Sequence, residues 1–138
     1  MKAMNKENPK YNDCTERKSQ LYERKGDFRT PFMRDYNRII FTTAYRRLKH
    51  KTQVFFAPDN DHICTRAEHV NLVESISYTI AYQLGLNTEL TRAISAGHDL
   101  GHAPYCDGGE KILSYLSMKH GLEPILHEMN SLHLIDDL

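Results

Sequence analysis

The 138-residue chain has no tryptophan, 3 cysteines, 7 glycines and 5 prolines. So little glycine and proline excludes a collagen-like or low-complexity chain. With 40% apolar and 26% charged residues, it reads as globular. Cys14, Cys64 and Cys106 are odd in number and widely spaced. That excludes a disulfide scaffold and a CxxC zinc pattern, and it fits reduced thiols in the cytoplasm. No apolar run approaches a membrane span, and the opening MKAMNKENPK has no apolar signal core, so no membrane partner is expected. A net charge of either sign is missing as well, but the zero total hides an asymmetry. Residues 1–51 hold 14 Lys/Arg against 6 Asp/Glu, a net of +8, and residues 52–138 hold 4 against 12, a net of −8. The halves either attract one another within the fold, or the basic part meets an anionic partner such as a polyphosphate or a nucleic acid.

A strand-rich region is also lacking, and the expected fold class is all-α in one domain. Residues 1–27 are polar and without periodicity, which predicts a flexible basic arm with a short helix near Glu16–Glu23. Residues 28–138 form the folded part. Pro31 opens a helix running through Arg34 to Leu48, with Ile39, Ile40, Thr43 and Leu48 facing inward. Val54–Phe56 is expected to be extended and Pro58–Asp61 to turn. Thr65 followed by Glu68 has capping-box spacing and starts a helix to Leu84. Its inner stripe would be Leu72, Val73, Ile76, Ile80 and Leu84, with Gly85 as the stop. Asn87 or Thr88 caps the next helix, which carries Leu90, Ala93, Ile94 and Gly97 and ends near His98-Asp99. After a GHAPYCDGG turn, Ile112, Leu113 and Leu116 mark a helix from Glu110 to His120. A last helix runs from Pro124 toward Leu138.

The segment AISAGHDLGHAPYCDGGE (Ala93–Glu110) crowds ligand-type side chains where a helix gives way to a turn. Two antiparallel helices joined at Gly85 can bring His69, on the first turn of one, to His98 and Asp99 at the end of the other. Two imidazoles and a carboxylate without thiolates suit Mn, Fe, Zn or Mg. A cation held this way activates water for attack on phosphorus. The plain alternative is that an adjacent His-Asp pair arises by chance and that His69 is a capped or core-edge histidine.

Three segments, RTPFMRDYNRIIFTTAYRRLKHKTQVF (Arg29–Phe55), TRAEHVNLVESI (Thr65–Ile76) and AGHDLGHAPYCDGGEKIL (Ala96–Leu113), resemble the deoxyguanosine triphosphate triphosphohydrolases of the HD-domain phosphohydrolase superfamily, in the same order and at similar spacing. The resemblance implies an HD-domain-like helical bundle. It also implies metal-dependent hydrolysis of a deoxynucleoside triphosphate to the deoxynucleoside and triphosphate. It makes His69, His98 and Asp99 ligands of a divalent metal. It gives Arg66 and His102 contacts to phosphate, Gln53 a contact to the sugar, Glu110 the orienting of a catalytic histidine, and His127 a further place in the active site. Arg66 suits a bidentate grip on phosphate. The bland readings are a solvated Arg66, a surface Gln53, a first-turn carboxylate at Glu110 and a surface His127.

Two departures stand out. Asp107 occupies the position where the family carries a catalytic histidine, and an ionised carboxylate donates no proton near neutral pH. The chain also stops at Leu138, before the position of the family's fourth metal ligand, which predicts either a truncated bundle or a site with three protein ligands. The stripe of Ile112, Leu116, Leu132 and Ile135 would then need a partner, and homo-oligomerisation is the expectation. Two other function classes compete with hydrolysis. One is an impaired HD module that binds nucleotide without turnover. The other is single-stranded nucleic-acid binding through Tyr11, Tyr22, Tyr36 and Tyr45 interleaved with Lys and Arg, against which ordinary helix packing is the simpler use of those rings.

Overall fold

The computed structural model describes residues 3–16, 25–51, 53, 60 and 62–136. Among these the protein is all-α: α1 (Tyr11–Thr15), α2 (Pro31–Phe41), α3 (Thr43–Arg47), a 3-10 turn (Leu48–His50), α4 (Arg66–Gln83), α5 (Thr88–Gly97), α6 (Cys106–Lys119) and α7 (His127–Asp136). Apart from Glu16, which is extended just after α1, the expected helix at 16–23 lies outside the described residues, as do the extended segment at 54–56 and all of the 58–61 turn except Asn60.

The caps follow local chemistry. Thr30 accepts from the Met33 N–H at 3.2 Å ahead of Pro31. The Thr65 hydroxyl accepts from Glu68 N–H, and the Glu68 carboxylate accepts from Thr65 N–H at 2.5 Å, completing the capping box. Asn87 caps α5 through Leu90 N–H at 3.0 Å. Gly85, at φ 65°, ends the turn out of α4.

α5 is the central helix and packs against both α2 and α4. Ile39, Leu48, Val70, Ala93, Ala96 and Leu100 form the buried core, with Tyr36, Tyr45, Leu134 and Ile135 packed around it. Residues 3–16 lie against the starts of α2 and α5: the Tyr11 ring meets Phe32 edge-on at 6.0 Å, and Asn87 Nδ2 donates to the Met4 carbonyl.

Three expectations are corrected. The helix predicted from Pro31 to Leu48 breaks at Thr42, whose backbone is extended (ψ 154°). Its hydroxyl donates to the Ile39 carbonyl at 2.7 Å and accepts from Tyr45 N–H at 3.0 Å, so one residue ends α2 and starts α3. Ile39 and Leu48 face inward as expected, but Thr43 is exposed. Most of the predicted inner stripe of α4 faces outward: Leu72, Ile76, Ile80 and Leu84 are exposed and Val73 is half-buried, while Val70 and Ala81 are buried. Finally, Cys106–Gly109 is not a turn but the first turn of α6.

Candidate functional site

The start of α4, the end of α5, the loop after it and the start of α7 converge. His69 comes from the first turn of α4, and His98 and Asp99 follow the last residue of α5. One ligand atom of each lies within 4.8 Å of the others, and the two imidazole centroids are 5.6 Å apart. His98 Nδ1 donates to the Ser95 carbonyl at 2.7 Å. A carbonyl can only accept, so Nδ1 carries the proton and Nε2 keeps its lone pair for a cation. Two nitrogens with a carboxylate, one imidazole already fixed in its ligating tautomer, fit a divalent ion.

Arg66, buried at the start of α4, donates from one guanidinium nitrogen to Asp99 Oδ2 at 2.7 Å. Burial works against ionisation of Asp99. The hydrogen bond and charge of Arg66, with His98 and His102 adding, outweigh it and hold the carboxyl below its ordinary value. A lone cation sits poorly at a helix N-terminus. The carboxylate from α5 is what makes a buried Arg66 tolerable.

A second group sits beside the first. Asp99, His102 and His127 also offer ligand atoms within 4.8 Å of one another. The His102 and His127 rings stack at 4.4 Å and 7°. Burial first, and then the nearby Arg66 charge, push His102 below its ordinary value and so favour its neutral form. Glu110 Oε2 accepts from His127 Nδ1 at 2.8 Å and from His127 N–H at 3.2 Å, fixing that ring with Nε2 free. Lys51 Nζ donates to the His102 carbonyl at 2.5 Å. Its burial, with the charges of Arg66 and Arg47, lowers it.

The remaining candidates lie at the margin. The Asp107 side chain is 82% exposed, with Oδ1 3.6 Å from His102 Nε2. Gln53 keeps its carbonyl on Cys106 Sγ at 2.9 Å, next to Asp107 in sequence. Among the described residues, Gln53 Nε2, Arg66 Nε and His102 Nδ1 are buried polar atoms without a hydrogen-bond partner. The tyrosines of the basic half are used internally. Tyr36 donates to Glu74 at 3.2 Å with the Arg92 guanidinium 4.5 Å over its ring, and Tyr45 donates to Asn71 at 3.4 Å. Tyr22 lies outside the described residues.

Reading the sequence missed three contributors. Lys51 sits in a basic run that gives no signal of its own. Asn130 and Ser131 sit in the HEMNSL segment, where only His127 had been singled out. Their contacts are to the loop at Gly101 (Asn130 Nδ2 to the Gly101 carbonyl, 2.8 Å; Gly101 N–H to Ser131 Oγ, 2.9 Å).

No family model matches the chain. It is similar to proteins named deoxyguanosinetriphosphate triphosphohydrolase-like protein. That from Caldanaerobacter subterraneus subsp. tengcongensis is 47% identical over 116 residues, 84% of this chain and 33% of the relative. That from Desulfatibacillum aliphaticivorans is 47% identical over 110 residues, 80% and 30%. That from Bartonella tribocorum is 46% identical over 107 residues, 78% and 27%. The chain spans about a third of the length of these relatives. Among the described residues, no helix is long and apolar enough to cross a membrane.

Proposed function

The chain belongs to the family of deoxyguanosinetriphosphate triphosphohydrolase-like proteins, and from that premise we propose that it carries the cation- and phosphate-binding part of a site that hydrolyses a deoxynucleoside triphosphate to the deoxynucleoside and triphosphate. The observation that supports this best is the approach of His69, His98 and Asp99 to within 4.8 Å beside a buried Arg66. His69 Nε2 or Nδ1, His98 Nε2 and an Asp99 oxygen would hold one Mn, Mg, Fe or Zn ion. When bound, a divalent ion supplies Lewis acidity to phosphoryl oxygens.

In this reading water adds to the α-phosphorus, the bond from phosphorus to the 5′ oxygen breaks, and a proton goes to that oxygen. Arg66 and Lys51 offset charge on the phosphoryl oxygens. Their positive surroundings favour a phosphoryl oxygen over a second cation at the Asp99–His102–His127 group. Arg66 Nε and His102 Nδ1, buried and unpartnered, are available to the phosphates. His127, held at Nδ1 by Glu110, gives the leaving oxygen a proton from Nε2 when the ring carries a proton on both nitrogens, and the attacking water releases its own proton to solvent. Asp107 is left to the rim by its exposure, and Gln53 to the sugar end.

A second reading is nucleotide binding without turnover, and the acidic Asp107 at the family's histidine position favours it. Salt-sensitive single-strand binding is a weaker version of that reading, because Tyr11, Tyr36 and Tyr45 are engaged in packing. The outward apolar faces of α4 and α6, with Leu132 on α7, support self-association, which sedimentation would measure. The deciding experiment is triphosphate release from dGTP and the other deoxynucleotides with each divalent metal. Release that is lost in Asp99→Ala and falls roughly 10²- to 10⁴-fold in His127→Gln supports the hydrolase. Metal and nucleotide binding with no release supports the second reading.

A further inference from the structure

Ser131 lies one helical turn after His127, so the two share a face of α7. It is buried, and its hydroxyl joins two backbone groups of another element. It accepts from the Gly101 N–H at 2.9 Å and donates to the His98 carbonyl at 3.0 Å. The carbonyls at the end of α5 have no partner within their own helix, so an outside donor is needed there. Asn130 adds a bond from Nδ2 to the Gly101 carbonyl at 2.8 Å. A Cβ on Gly101 would stand 2.2 Å from Ser131 N and 2.5 Å from the His127 carbonyl oxygen, so the α7 backbone rests directly on this loop.

We propose that Ser131 is a positioning residue: its hydroxyl ties the helix bearing His127 to the backbone of His98, and so sets the separation between His127 and the cation-binding group. This rests on the hydrolase reading for its role in turnover, but not for the tie itself. A serine that merely satisfied buried backbone groups would cost stability when removed and leave that separation unchanged.

The test uses the full chain, Ser131→Ala and Asn130→Ala, with Mn²⁺ as a paramagnetic probe. In the wild type, bound Mn²⁺ broadens the His127 ring resonances, an effect that falls with the sixth power of distance. Ser131→Ala is expected to weaken that broadening and to lower protection of the Gly101 amide from hydrogen exchange about tenfold. If turnover is present, kcat drops roughly 10- to 100-fold with KM changed by no more than about twofold. Asn130→Ala moves all three readouts the same way by less, and it carries the test should Ser131→Ala not fold. Unchanged broadening in a folded variant that binds Mn²⁺ overturns the positioning role, whatever happens to Gly101 exchange. A wild type that binds no Mn²⁺ overturns the cation reading instead, and Gly101 exchange then decides the tie alone.

Discussion

The first turn of α4 and its later turns obey opposite patterns. In the first turn a charged residue, Arg66, is 5% exposed, while further along Leu72, Ile76 and Ile80 are 60%, 52% and 54% exposed. Arg66 is buried because Asp99 reaches it from α5 at 2.7 Å. The aliphatic residues stand outward because α5 covers the other side of the helix, where Val70 and Ala81 lie. Polarity therefore does not decide burial in this protein; the presence of a matched neighbour does.

That contrast can be broken most severely at Asp99. Asp99→Ala leaves a guanidinium buried without its carboxylate and should cost about 3–5 kcal/mol in urea unfolding with a chelator present. The same pair gives a pH signature. Asp99 titrates below its ordinary 3.8 when folded, so its ionised form stabilises the protein above that value and the contribution is lost as pH falls through the folded value. Wild-type stability should thus decline on acidification below about pH 4, and Asp99→Asn should lack that increment. Gly101→Ala comes next. A methyl at that position must displace the α7 backbone, at a cost of about 1–3 kcal/mol or more, read by thermal unfolding. Thr65→Ala removes the cap that starts the polar turn of α4 and should cost about 1 kcal/mol. Smallest of all, Leu72→Ser, Ile76→Ser and Ile80→Ser should each stay within about 0.5 kcal/mol in a monomer. A larger loss at any of the three would show that the outward face is covered in solution.

What was legible in the sequence was local. Thr65 and Glu68 bond each other's backbone three residues apart, and Asn87 caps its own helix, so their chemistry is written in adjacent letters. The break at Thr42 was hidden because no glycine or proline marks it; a hydroxyl makes two backbone bonds that a continuous helix would not need. The inner face of α4 could not be chosen because apolar residues occur around the whole helix. Gly108-Gly109 looked like a turn, yet a Cβ at 109 would stand 1.8 Å from the Pro104 carbonyl oxygen, so one of those glycines serves close packing inside α6. For the site, His98, Asp99 and His102 lie within five residues of one another, so their closeness was readable from the chain alone. The partners of Lys51 and Ser131 lie tens of residues away, and only the fold brings them to the same loop.

Asp99 is a corner common to both imidazole groups, one with His69 and His98 and the other with His102 and His127. A substitution at Asp99 therefore disturbs both groups at once, whereas one at His69 or His98 reaches only the first. The carboxylate is thus the one side chain whose loss would be felt on both sides of the cluster, among the described residues.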